Sequence, residues 1–239
     1  MSSVASVLAA SALAAGLIKG FTGFGGALVM APLFTLVLSP RETLGVVVAV
    51  NVATAWQLFA QSWRTMQRAV VLPMALACAL ATPIGVAAIV LVAPTLGRRM
   101  IGFAVLASGL ALLSGWQRRG TPRLLDTLVV GAVGGILNGL AGIGGPPAAL
   151  WLLAGRDGAS RDRAGLIVYV ALTQAAAAAV AALVGALDIN ALQRALWLAP
   201  LYVTGTYAGA HLFNLAPERI VRIAAIALIV GLGGVAALR

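Results

Sequence analysis

Acidic residues are scarce in this chain: Asp and Glu number six, at Glu42, Asp126, Asp157, Asp162, Asp188 and Glu218. Each lies at the end of an apolar run or between runs, so the sequence shows no carboxylate proton relay. It also lacks the deep acidic pair of a hydrolase and any GxSxG, HExxH or CxxC signature, which argues against an enzyme. One histidine, His211, and one cysteine, Cys78, make up the whole inventory of soft ligands. They form no metal cluster, no intrachain disulfide and no bound cofactor site. Charged residues make up 9% of the 239 positions, against about a quarter in a soluble domain.

What is present is apolar sequence, 62% of the chain, in runs separated by short loops that carry arginine. This is the pattern of an all-α polytopic membrane protein whose partner is the lipid bilayer. The net charge of +10 is spread over many loops and forms no basic face, so it serves topology and not nucleic-acid binding. The runs predict helical segments at 4–19, 26–38, 43–60, 69–92 and 96–116, then 124–138, 146–155, 163–187, 191–212 and 217–238.

Two strings interrupt the runs. Residues 20–26 read GFTGFGG and residues 139–145 read GLAGIGG, and a shift of 119 superposes their glycines. Gly16, Gly20, Gly23, Gly25 and Gly26 fall on Gly135, Gly139, Gly142, Gly144 and Gly145. Further matches follow: Arg41 and Gly45 with Arg161 and Gly165, and RAVVLP from Arg68 with RALWLAP from Arg194. The chain therefore reads as two homologous transmembrane repeats, 1–119 and 120–239. Each holds a short-helix pair broken at its glycine string, followed by three spanning helices. Internal repeats of this kind mark secondary transporters.

Charge counting orients the repeats. If each half crosses the membrane an odd number of times, the halves are inverted. One side then holds ten arginines (Arg64, Arg68, Arg118, Arg119, Arg123, Arg156, Arg161, Arg163, Arg219, Arg222) and the other five (Arg41, Arg98, Arg99, Arg194, Arg239). A single broken span per half gives eight against seven. The positive-inside rule favours the asymmetric count, with both termini outside and the loop around Arg118–Arg123 in the cytoplasm.

Broken backbone at membrane depth is tolerated where it lines a cavity or is buried in protein. A helix beginning near Gly26 and another near Gly145, with Pro146 in its first turn, would offer N-terminal N–H groups to a small anion. The spacing of Gly16–Gly20 and Gly135–Gly139 instead suits close helix packing. The candidate substrate-binding set is Lys19, Thr22, Gly23, Phe24, Gly25 and Gly26 from the first half, with Gly142, Ile143, Gly144, Gly145 and Pro146 from the second. Lys19 is the only lysine. It serves either as the anion's counter-ion or as a snorkelling interfacial cation. Its repeat mate is Asn138. Asn51, Thr54 and Gln174 add polar groups from the third segments, for lining a cavity or for helix–helix hydrogen bonds. On this reading a methyl group at Gly25 or Gly144 obstructs the ligand and leaves the empty protein near its normal stability.

GFTGFGGALVMAPL and NGLAGIGGPPAALWLL, one in each half, resemble the sulfite exporter TauE/SafE family of membrane permeases. The resemblance covers nearly the whole chain. It implies transport of a small sulfur-containing anion, such as sulfite, a sulfonate or a related organic acid, across a bacterial cytoplasmic membrane. Distant relatives that handle thiosulfate use cysteines, and the lone Cys78 does not suggest that chemistry. An anion channel and a non-transporting membrane subunit are the alternatives. Nothing in the pattern names a coupling ion, proton or sodium, and a homo-oligomer is compatible with it.

Overall fold

The computed structural model describes residues 2–22, 24–55, 59–114, 122–153 and 159–213, and in the last segment 227, 230, 231 and 233–236. Within these the chain is helical: α1 (Ser2–Thr22), α2 (Gly26–Phe34), α3 (Pro40–Ala55), α4 (Phe59–Thr65), α5 (Arg68–Leu91), α6 (Pro94–Leu113), α7 (Leu124–Ala141), α8 (Gly145–Leu153), α9 (Ala159–Leu183) and α10 (Ile189–Phe213). Among the described residues four helices are each long and apolar enough to cross a bilayer, or five if α3 and α4 are taken together as one span. Large apolar side chains stand exposed in rows, such as Leu72, Leu76, Leu80 and Ile84 on α5. Their spacing of four residues marks a lipid-facing helix stripe.

The helix starts expected at Gly26 and beside Pro146 are where the structure has them. The first member of each pair is longer than expected. α1 has 21 residues and α7 has 18, whereas α2 and α8 have nine each. Nine residues rise only about 13 Å, less than half the hydrocarbon thickness. The run expected over 43–60 is divided between α3 and α4, and the segment at 217–238 lies largely outside the described residues.

Close packing joins the halves reciprocally. A methyl group on Gly16 or Gly20 of α1 would strike the carbonyl oxygen of Tyr202 or Thr206 on α10. Likewise, one on Gly135 or Gly139 of α7 would strike the carbonyl of Cys78 or Thr82 on α5. The packing is returned from the other side. Gly209 of α10 lies on the Leu17 carbonyl, and Gly85 of α5 on the Ile136 carbonyl. The packing role read for these glycine pairs is therefore realised, in the small-residue mode of membrane helices. Such approach admits Cα–H···O contacts of about 0.5–1 kcal/mol each. These contacts also align Tyr202 with Cys78 and Thr206 with Thr82. The resemblance of RAVVLP to RALWLAP thus sits two or three residues out of the packing register.

Helix direction follows from the same contacts. Partners on α10 advance by four as α1 advances by four, so α1 and α10 run in the same sense. Along α3, Gly45 meets Ala191 and Asn51 bonds to Tyr202, so α3 also runs with α10. α1 and α3 being co-directional, the chain between them must turn back through α2. At the start of α3, Arg41 donates to the Val184 carbonyl at the end of α9. Beside it Glu42 pairs with Arg194 at 3.0 Å.

Candidate functional site

The two glycine breaks meet. α1 ends and α2 begins on one wall of a small cavity of ≈ 30 Å³, and the α7–α8 break forms the facing wall. From the first half come Lys19, Phe24, Gly25, Gly26 and Asn51; from the second come Gly142, Ile143, Gly145, Pro146 and Gln174. The volume is room for about two waters.

Each break turns on a glycine in the left-handed region: Gly25 with φ 91° at the N-cap of α2, and Gly142 with φ 72° at the C-cap of α7. These two are not repeat mates, since Gly25 corresponds to Gly144. Gly25 provides no side-chain cap, so the first-turn N–H groups of Gly26 and Ala27 lack intrahelical partners beside the cavity. At the other break Pro146 and Pro147 have no N–H to give, leaving Gly145 as the first-turn donor.

Lys19 is half-buried. Its ammonium stands 3.3 Å from the Thr54 hydroxyl and 5.0 Å from the centre of the Tyr202 ring. Thr54 donates in turn to the Val50 carbonyl at 2.9 Å. Tyr202 is fully buried and donates to Asn51 Oδ1 at 3.2 Å, while Asn51 Nδ2 donates to the Val47 carbonyl at 3.0 Å. On the facing wall Gln174 Nε2 donates to the Gly142 carbonyl at 2.8 Å.

The profile of the family described as Sulfite exporter TauE/SafE matches residues 8–236, nearly the whole chain. The chain belongs to the sulfite exporter TauE/SafE family. No curated protein and no solved structure matches it. Membership of this exporter family, together with helices of spanning length, makes it an integral membrane transport protein.

Within this TauE/SafE chain the expected residues divide three ways. Lys19, Phe24, Gly25, Gly26, Asn51, Gly142, Ile143, Gly145, Pro146 and Gln174 share the cavity. Thr54, Asn138 and Gly144 stand behind it. Thr54 holds Lys19, and Asn138 Nδ2 donates to the Thr173 carbonyl at 2.9 Å. A methyl group on Gly144 would press on Asn138 Cβ and the Gly134 carbonyl, both 2.8 Å away. The expectation of a normally stable empty protein with alanine at Gly25 or Gly144 is therefore corrected. Gly25 needs its positive φ and Gly144 has no free space. Thr22's side chain and Gly23 lie outside the described residues.

Sequence reasoning missed Tyr202, Val170, Ala27 and Leu28, which also line the cavity. The signal for Tyr202 was its placement: a tyrosine within an apolar membrane helix needs a partner for its hydroxyl. Gly26 makes room for it, since a side chain there would strike the Tyr202 hydroxyl.

Proposed function

We propose that this TauE/SafE protein is a secondary transporter of a small anion, such as a sulfur oxyanion, a sulfonate or a related organic acid. The anion binds between the two glycine breaks, in the cytoplasmic membrane of a bacterium. The observation that carries the proposal is that both breaks and the only lysine of the chain border one cavity. A positive charge, free first-turn N–H groups and a carbon-poor glycine wall are what a small anion needs and what a lipid or a bulky organic molecule does not.

The same proposal takes residues 1–119 and 120–239 as inverted repeats. Two observations support it: the reciprocal glycine packing, and the joining of Arg41 and Glu42 to the α9–α10 turn. An odd number of crossings per half puts those segments on one side of the membrane. A single broken span per half would put them on opposite sides.

A thermal-shift panel of small anions on the purified protein, followed by flux into liposomes with the anions that bind, tests the function. Saturable flux with counter-transport of the same anion is the expected outcome. Conductance many orders faster would make it a channel. Absence of both anion-induced shift and flux would leave a structural subunit.

A further inference from the structure

We infer that the anion bound here is a monoanion that itself donates a hydrogen bond, a hydroxyl-bearing or singly protonated oxyanion, with its oxyanion end on Lys19 and the start of α2 and its donor directed to Gln174. This deepens the proposed transport reading and rests on it.

The charge count comes first. Each break brings a helix C-terminus and a helix N-terminus to the cavity, so their partial charges of about half a unit offset one another. Among the described lining residues Lys19 is the one cation, and no carboxylate is present. The cavity thus compensates a single negative charge. A dianion would leave one charge unpaired in a low-dielectric setting, which is costly.

The two walls also differ in hydrogen-bonding sense. The first-half wall supplies donors: the Lys19 ammonium and the first-turn N–H groups of Gly26 and Ala27. The second-half wall has no N–H at Pro146 and Pro147, keeps that of Gly145, and includes Gln174. Gln174 is 4% exposed, and among the described residues nothing donates to its Oε1. Its amide orientation is dictated by its neighbour. Nε2 must face the Gly142 carbonyl, because turning the amide would set two carbonyl oxygens against each other. A buried acceptor left unsatisfied destabilises by roughly the desolvation of the group, and native proteins rarely leave one without a purpose. In a cavity with room for about two waters, a ligand of a few heavy atoms touches both walls. An oxyanion without a donor would satisfy the first wall and leave Gln174 unpaired.

Matched pairs of probes test this on the purified full-length protein: acetate against glycolate, and methanesulfonate against hydroxymethanesulfonate. The hydroxylated member of each pair should bind roughly three- to tenfold tighter, the worth of one neutral hydrogen bond. In Gln174→Met, which keeps the length and removes the acceptor, the two members should bind equally. A second measurement needs no variant. Affinity for total inorganic phosphate, relative to methanesulfonate measured in parallel, should fall as pH rises through the second ionisation of phosphate. Equal binding within the wild-type pairs, a preference that survives in Gln174→Met, or phosphate affinity that tracks methanesulfonate across that pH range would each overturn the inference while leaving anion transport standing. Failure of all these anions to bind would instead overturn the transport reading itself.

Discussion

Glu42 and Arg194 form an ion pair at 3.0 Å across 152 residues of sequence, at the end of the bundle where α3 begins and the α9–α10 turn lies. Both side chains are partly exposed, so the pair adds at most about 1 kcal/mol to stability. Its value is topological. It holds the start of α3 and the start of α10 at the same end of the helix bundle.

Topology is therefore the first expectation. Single-cysteine labelling in intact cells should find positions 2 and 237 reachable by an impermeant thiol reagent, and position 120 protected until the membrane is opened. Positions 41 and 194 should label together. External reaction at Gly120 with none at Ser2 or Ala237 would reverse the orientation.

Lys19→Gln should leave the protein folded and weaken anion binding by an order of magnitude or more. One charge-assisted hydrogen bond is worth about 1.5–3 kcal/mol. Lys19→Arg should retain part of the affinity, because the broader guanidinium keeps the charge but not the fit between Thr54 and the Tyr202 ring. Titration of the purified variants with the anions that bind wild type decides it. Unchanged affinity in Lys19→Gln would make the lysine a snorkelling residue.

Alanine at the glycines separates three causes. Gly25→Ala should lower the melting temperature of the empty protein, with a cost near 1–2 kcal/mol for forcing alanine into the left-handed region. Gly144→Ala should destabilise through crowding against Asn138, at about 1–3 kcal/mol. Gly20→Ala and Gly139→Ala press on backbone carbonyls that cannot step aside, and should cost at least as much. Calorimetry without and with anion gives each value. Gly25→Ala should lose the anion-induced shift as well. A rise in melting temperature at any of the four would indicate an ordinary helix interior.

Asp188 caps α10, accepting from the Ala191 N–H at 2.8 Å and from Asn190 Nδ2 at 3.2 Å. The Ala191 N–H first, then the Asn190 amide, hold its carboxyl below the usual range. The stability it contributes is present above the pKa of the unfolded chain and is lost as pH falls through the lowered folded value. Asp188→Ala should melt earlier than wild type near neutrality, and the two curves should converge on acidification. A gap that persists in acid would assign the effect to something other than the charged cap.

Much of this architecture was legible in the glycines. They are poor helix formers, so a cluster in an apolar run can only be a break or a packing surface. The i, i+4 spacing of Gly16–Gly20 separated the second use from the first. The finer placement was not legible. Gly25 and Gly144 match in sequence, but among the described residues Gly25 is left-handed and Gly144 is not. The difference depends on what each of these glycines packs against, and only the second string is followed directly by two prolines. Tyr202 was hidden for a related reason. The packing register pairs it with Cys78, so no polar mate draws attention to it, and its partner Asn51 lies 151 residues away.

The interlocked glycines bear on how such a molecule could open and close. α1 is keyed to α10 and α7 to α5 by backbone touching backbone, a fit that tolerates little sliding. Each keyed pair takes one helix from either half of the chain. The bodies that rock past one another would then be these mixed pairs, hinged at the cavity between them, and not the two sequence halves. Spin-label distances between α1 and α10 should stay fixed as anion is added, while those between α1 and α7 change. A shifting α1–α10 distance would show that the keys release during the cycle.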